Sequence, residues 1–104
     1  MEDVAIIGVG RHAFGRFPGK SAFDMGADAI RDALHDAGIN WDDIQVAFGG
    51  SVEASNTDAI VNRVGLTGVP FHNVNNGCAT AATALSMTAN AIRAPSSVPA
   101  RVAT

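Results

Sequence analysis

The residue best equipped for covalent chemistry is the single cysteine, Cys78, which follows Asn75-Asn76-Gly77 and heads a long apolar helical pattern. Amides at a helix N-terminus, with the helix dipole, favour a thiolate and so raise the nucleophilic fraction. The same N–H groups can hold the oxyanion formed when a thiolate attacks a thioester carbonyl. Gly77, directly before the sulfur, permits a tight turn and leaves space for a substrate. Position alone fits an inert core cysteine equally well, because free cysteines are commonly buried. His72 precedes Cys78 closely enough to suggest a base, yet nothing in a strand at that spacing brings its ring to the sulfur. A packed or hydrogen-bonded histidine suits it better.

Two glycine motifs suggest phosphate chemistry and fail on geometry. Gly8-Val9-Gly10-Arg11-His12-Ala13 matches the loose dinucleotide fingerprint, which needs a helix to start at once so that its N-terminus meets the pyrophosphate. Here Phe14 to Gly19 intervene, and Phe48-Gly49-Gly50-Ser51-Val52 holds no acidic residue where the second strand ends. Nucleotide binding is therefore the weakest functional reading. Gly15-Arg16-Phe17-Pro18-Gly19-Lys20-Ser21 resembles a phosphate loop, but it is one residue short between its glycines and Pro18 removes a donor. A loop ending in a helix cap at Ser21 fits better. One cysteine with dispersed His12, His35 and His72 indicates no metal site.

These residues need elements to hold them. Val4 to Gly10 is a continuous apolar run, as expected of a strand buried on both faces. Arg11 to Lys20 reads as a loop. Ser21 is a plausible N-cap, with Asp24 favouring the helix start. Phe23, Ala27, Ile30, Leu34 and Ala37 then recur at helical spacing over Ala22 to Ala37, and Gly38 supplies the stop. After a turn at Asn40 to Asp43, Ile44 to Gly50 reads as a second strand. Thr57 to Leu66 predicts a shorter helix, Phe71 to Val74 a third strand, and Cys78 to Ile92 a helix. That β-α-β-α-β-α order indicates an α/β domain with a largely parallel sheet.

The last predicted helix has almost no polar face; Asn90 is its only strongly polar side chain. A helix apolar all round is normally buried on every side, and a chain of this size has little material to cover one. Ala94 to Thr104 then abandons the α/β rhythm with Pro95, Pro99 and small residues, and reads as an unstructured tail or linker.

Composition bounds the function. With 47% apolar and 16% charged residues, the chain has the makings of a folded core. The net charge of −3 offers no basic footprint for nucleic acid. An acidic start and a short apolar run do not make a signal peptide, and no segment reaches the ~18–20 apolar residues of a membrane span. A lone thiol suits a reducing compartment, so a cytoplasmic location is expected.

From Leu66 to Leu85, through Asn75-Asn76-Gly77-Cys78-Ala79-Thr80, the sequence resembles the thiolase superfamily, nearest its sterol-carrier-protein-associated branch. The run Val4 to Gly10 and the helix Phe23 to Ala37 look like that family's opening strand and helix, so the resemblance spans residues 2 to about 93. It implies two similar halves in a five-layer α-β-α-β-α fold, usually dimeric, of which this α/β chain would be the incomplete N-terminal part. It implies that Cys78 takes an acyl group from an acyl-CoA or 3-ketoacyl-CoA, with coenzyme A as part of the substrate and no resident cofactor. The acid–base partners would come from a second half, and the central helix would lie buried between halves. A homo-oligomer, or pairing with thiolase-like subunits, is the expected assembly. Two departures stand out. Ala81 replaces a glycine common in the family, and Ala94 to Thr104 does not continue its pattern. A truncated or frameshifted product, inactive alone, is expected; a non-catalytic lipid-binding or pairing module is the alternative.

Overall fold

The computed structural model describes residues 3–51 and 56–94 and the backbone of Val102–Ala103. The first helix, α1 (Ala22–Ala37), forms as its pattern predicts. Ser21 and Asp24 make a reciprocal capping box, with Asp24 N–H donating to Ser21 Oγ and Ser21 N–H to Asp24 Oδ2, each at 3.1 Å. Gly38 ends the helix in the left-handed region, φ 71°, where a side chain would be strained. A 3-10 turn at Trp41–Asp43 leads into strand β1 (Val46–Gly49).

The helix predicted over Thr57–Leu66 is shorter and broken in type. A 3-10 turn, Thr57–Ile60, runs into a single α-turn, α2 (Val61–Val64), and Gly65 with φ 133° stops it. Strand β2 (Phe71–Asn73) follows, then a 3-10 turn at Gly77–Ala79 and helix α3 (Thr80–Arg93). Strand β3 is the two residues Val102–Ala103. The three strands form one parallel sheet in the order β2-β1-β3, with Ala47 opposite Phe71, Phe48 opposite His72, and Val46 opposite Val102.

Alternation along β1 separates two cores. Ala47 points to one face, where buried Trp41 and Ile44 pack with Ile30 and Leu34 of α1, Val61 and Val64 of α2, and Phe71. Phe48 points to the other, against Val74 and Ala84 of α3. The result is helix, sheet, helix: an α/β layered fragment with a parallel sheet. On the second face α3 is poorly covered. Ala84 and Thr88 are buried, whereas Leu85 is 47% and Met87 39% exposed. The apolar helix thus shows much of its surface, as its composition foretold.

One expectation is corrected. Val4–Gly10 is not a strand; it lies extended along α1, outside the sheet. Its backbone comes so close to α1 that a Cβ at Gly10 would stand 2.2 Å from the Ala29 carbonyl oxygen, and one at Gly8 2.6 Å from that of Ala33. Two α1 side chains take amides in and just after the run, Asp36 Oδ2 accepting from Val9 N–H at 2.9 Å and Asp32 Oδ2 from Arg11 N–H at 3.3 Å. Of the expected tail, Ala94 and the paired backbone of Val102–Ala103 are described; the expectation for residues 95–101 and 104 lies outside the described residues.

Candidate functional site

Cys78 stands on the connection between the end of β2 and the start of α3, and it is exposed. It does not open the α-helix itself, which is a correction of two residues. Gly77 takes φ +54°, and the chain makes one 3-10 turn before α3 begins at Thr80. Ala79 N–H donates to Asn76 O at 3.0 Å within that turn.

Polar side chains lock the turn. Thr80 Oγ1 accepts from Asn76 N–H at 3.0 Å and donates to Gly77 O at 2.7 Å, bridging both sides of the cysteine. Asn76 Nδ2 donates to Thr83 Oγ1 at 2.9 Å, one helical turn further on. Gly77 N–H donates to Asn75 Oδ1 at 3.4 Å. Cys78 itself hydrogen-bonds to no other described residue through its backbone N–H. Among the described residues, the exposed cysteine thus carries a backbone N–H with no partner.

The sheet sets the height of this turn. Val74 N–H donates to Gly49 O at 2.8 Å, anchoring the chain after β2 to the end of β1. Gly50 then fits beneath it. A Cβ there would stand 2.0 Å from Val74 O and 2.5 Å from Thr80 Cγ2, so only glycine allows the approach. Phe48, Val74 and Ala84 close the contact below.

His72 is not brought to the sulfur. No hydrogen bond joins it to Cys78, and its ring stacks on Phe48 with centroids 4.9 Å apart and planes at 22°. The ring is exposed while it stacks on the buried Phe48. His12 and His35 lie elsewhere, His12 on Lys20 at 2.7 Å in the loop before α1 and His35 in the last turn of that helix. Among the described residues, no group of three metal-ligating side chains occurs.

Comparison with known proteins decides what this arrangement belongs to. The family profile described as "Thiolase, N-terminal domain" matches residues 4–98. The chain belongs to the thiolase family. It is 40% identical over 90 residues to sterol carrier protein 2 of Gallus gallus, covering 81% of this chain and 16% of that protein. It is 39% identical to non-specific lipid-transfer protein-like 2 of Caenorhabditis elegans, covering 79% and 21%. An acetyl-CoA acetyltransferase of Methanothermobacter thermautotrophicus is 33% identical over 92 residues, covering 82% and 24%. Among solved structures, the priming β-ketosynthase of the R1128 polyketide biosynthetic pathway superposes with a TM-score of 0.62 at 25% identity, over 73% of this chain and 24% of that one. The chain thus spans a quarter or less of the length of these thiolase-family relatives.

Residue reasoning found the cysteine and its glycine but missed the frame. Thr80, Thr83 and Gly50 fix the turn, and only their proximity to Cys78 or to the end of a strand could have signalled it. Among the described residues no helix is long and apolar enough to cross a membrane.

Proposed function

We propose that this chain supplies the acyl-accepting half of a thiolase-type acyltransferase, with Cys78 as its nucleophile. The observation that carries the reading is the presentation of Cys78: an exposed cysteine held on a locked strand-to-helix turn in a thiolase-family chain. In the reaction, Sγ as thiolate attacks the carbonyl carbon of an acyl-CoA. The tetrahedral oxyanion is met by backbone N–H donors at the turn. Collapse breaks the original C–S bond, leaves an acyl-Cys78 thioester and releases coenzyme A as a thiolate that takes up a proton.

The rest of the cycle needs a group to move that proton and a second site for the incoming thiol or carbanion. Neither His72, stacked on Phe48, nor any other described histidine is placed to serve. Loss of one member of a catalytic set commonly costs orders of magnitude in rate. The 104-residue chain alone is therefore expected to take one acyl group slowly and to turn over negligibly. Incubation with acetyl-CoA, followed by peptide mass spectrometry, checks this. Acetyl on the Cys78 peptide in the parent and none in Cys78→Ser at neutral pH supports the reading. Multiple turnovers by the purified chain, or by Cys78→Ser, would overturn it.

A second reading is favoured by a separate observation. An apolar cleft of about 720 Å³ lies between α1, α3 and the sheet, and several relatives are named as sterol carriers or lipid-transfer proteins. A non-catalytic lipid-binding or subunit-pairing module follows. Saturable binding of a fluorescent fatty acid, unaffected by Cys78→Ser and without acylation, would favour it over the first.

A further inference from the structure

The loop that leads into α1 carries an apolar side chain with no place in either core. Phe14 is 103% exposed, the highest value among the exposed large apolar side chains of the described residues. Ile6, Ile7, Val9 and Leu85 are exposed too, but they line the cleft, and Phe14 does not. A ring so exposed contributes no burial to its own fold.

The base of this loop is ordered by polar and aromatic contacts. Lys20 N–H donates to Phe17 O at 3.0 Å, and Lys20 Nζ reaches His12 Nε2 at 2.7 Å and Asp28 Oδ2 at 2.5 Å. The His12 ring meets Phe17 edge to face with centroids 4.5 Å apart, and Lys20 Nζ stands 5.7 Å from the Phe17 centroid. Both ends of the loop are thereby tied together and to α1, and Phe14 stands between them.

Charge around the ring is of one sign. From Val4 to Phe23 the sequence holds Arg11, Arg16 and Lys20 and no acidic residue, in a chain of net charge −3. Lys20, Arg31 and Arg63 each pair with a carboxylate. Arg11 and Arg16, on either side of Phe14, pair with none among the described residues. The carboxylates of α1 are already engaged. Asp24 holds Arg63, Asp28 holds Lys20 and Arg31, and Asp32 and Asp36 accept from the Arg11 and Val9 amides.

A bare ring between two unpaired guanidinium groups matches the layering of a charged bilayer surface. Aromatic rings favour the boundary between headgroups and acyl chains, and cations favour anionic headgroups. A bilayer also accepts a single projecting apolar side chain without a shaped pocket, which a folded protein partner would have to supply. We infer that the loop Arg11–Lys20 docks this chain on an anionic lipid surface. Phe14 enters the headgroup boundary, and Arg11 and Arg16 hold anionic headgroups. One ring and two cations make a weak, reversible attachment, because stable anchoring takes more buried apolar area or more charge. The contact uses neither Cys78 nor the cleft, so it does not depend on the acyl chemistry proposed above.

Flotation with lipid vesicles tests it. The chain is expected to float with vesicles of phosphatidylserine and phosphatidylcholine in equal parts, far less with phosphatidylcholine alone, and to be released as salt is raised. Phe14→Ser, and the pair Arg11→Gln with Arg16→Gln, are each expected to lower partitioning about fivefold or more. Phe14→Trp gives a second readout, with buried Trp41 as a constant background. Its emission is expected to move to shorter wavelength with the mixed vesicles and to stay in place with phosphatidylcholine alone. No flotation of the parent, equal flotation on both vesicle types, or flotation unchanged in Phe14→Ser would overturn the proposal. Loss in the arginine pair with none in Phe14→Ser would mark a surface for an acidic partner, and that result overturns it as well.

Discussion

At the scale of single residues, the turn around Cys78 depends on atoms with no substitute. Thr80 Oγ1 serves Asn76 N–H and Gly77 O at once, and Gly50 admits Val74 O where any Cβ would collide. The colliding atom is backbone and cannot rotate away. Gly50→Ala is therefore expected to lower stability by ~1–3 kcal/mol and to change the alkylation rate of Cys78, both measurable on one sample by urea unfolding and iodoacetamide labelling. Asp24 carries a different dependence. The Arg63 guanidinium, with its Nε 3.0 Å from Asp24 Oδ1, and the Ser21 N–H and hydroxyl hold the Asp24 carboxyl down from the ordinary 3.8 to about 2. The folded value lies below the unfolded one, so this contribution is complete above 3.8 and is lost as pH falls through about 2. The denaturant midpoint of Asp24→Asn is expected to lie below the parent's at about pH 5, with the gap closing towards about pH 2. A gap that widens on acidification would contradict the assignment.

At the scale of elements, what was legible in the sequence is what local chemistry decides. α1 was legible from end to end because its cap, its apolar stripe and its terminal glycine are all written within the segment: Ser21, Ile30 with Leu34, and Gly38. Ser21→Ala removes the cap and is expected to cost about 1 kcal/mol, lowering the midpoint of thermal unfolding by roughly 4–8 °C for a domain of this size. α3 was legible as an apolar helix, but its first turn was not. The residues that delay it to Thr80 act through side-chain hydrogen bonds across the turn, and periodicity carries no sign of those. Val4–Gly10 shows the opposite limit. Its composition says strand, yet in the structure it lies along α1 outside the sheet, with the Val9 amide on Asp36. Likewise Thr57–Leu66 has helical spacing but breaks at Gly65, whose φ of 133° no periodicity encodes.

At the scale of the whole molecule, the chain is an α/β unit of the thiolase family with apolar surface to spare. Leu85 and Met87 on α3 and Ile6 and Ile7 along α1 are exposed, and an apolar cleft lies between α1, α3 and the sheet. Cys78 was the residue to which the sequence pointed first, and the fold places it in the open on a framed turn. We propose that this frame, and not the thiol alone, makes Cys78 an acyl acceptor. The most direct test is the rate of acyl transfer from acetyl-CoA to Cys78, compared at one pH between the folded chain and a peptide of residues 73–83. Transfer is expected to be faster in the folded chain and to fall towards the peptide rate in Thr80→Val. Equal rates in chain and peptide would contradict it.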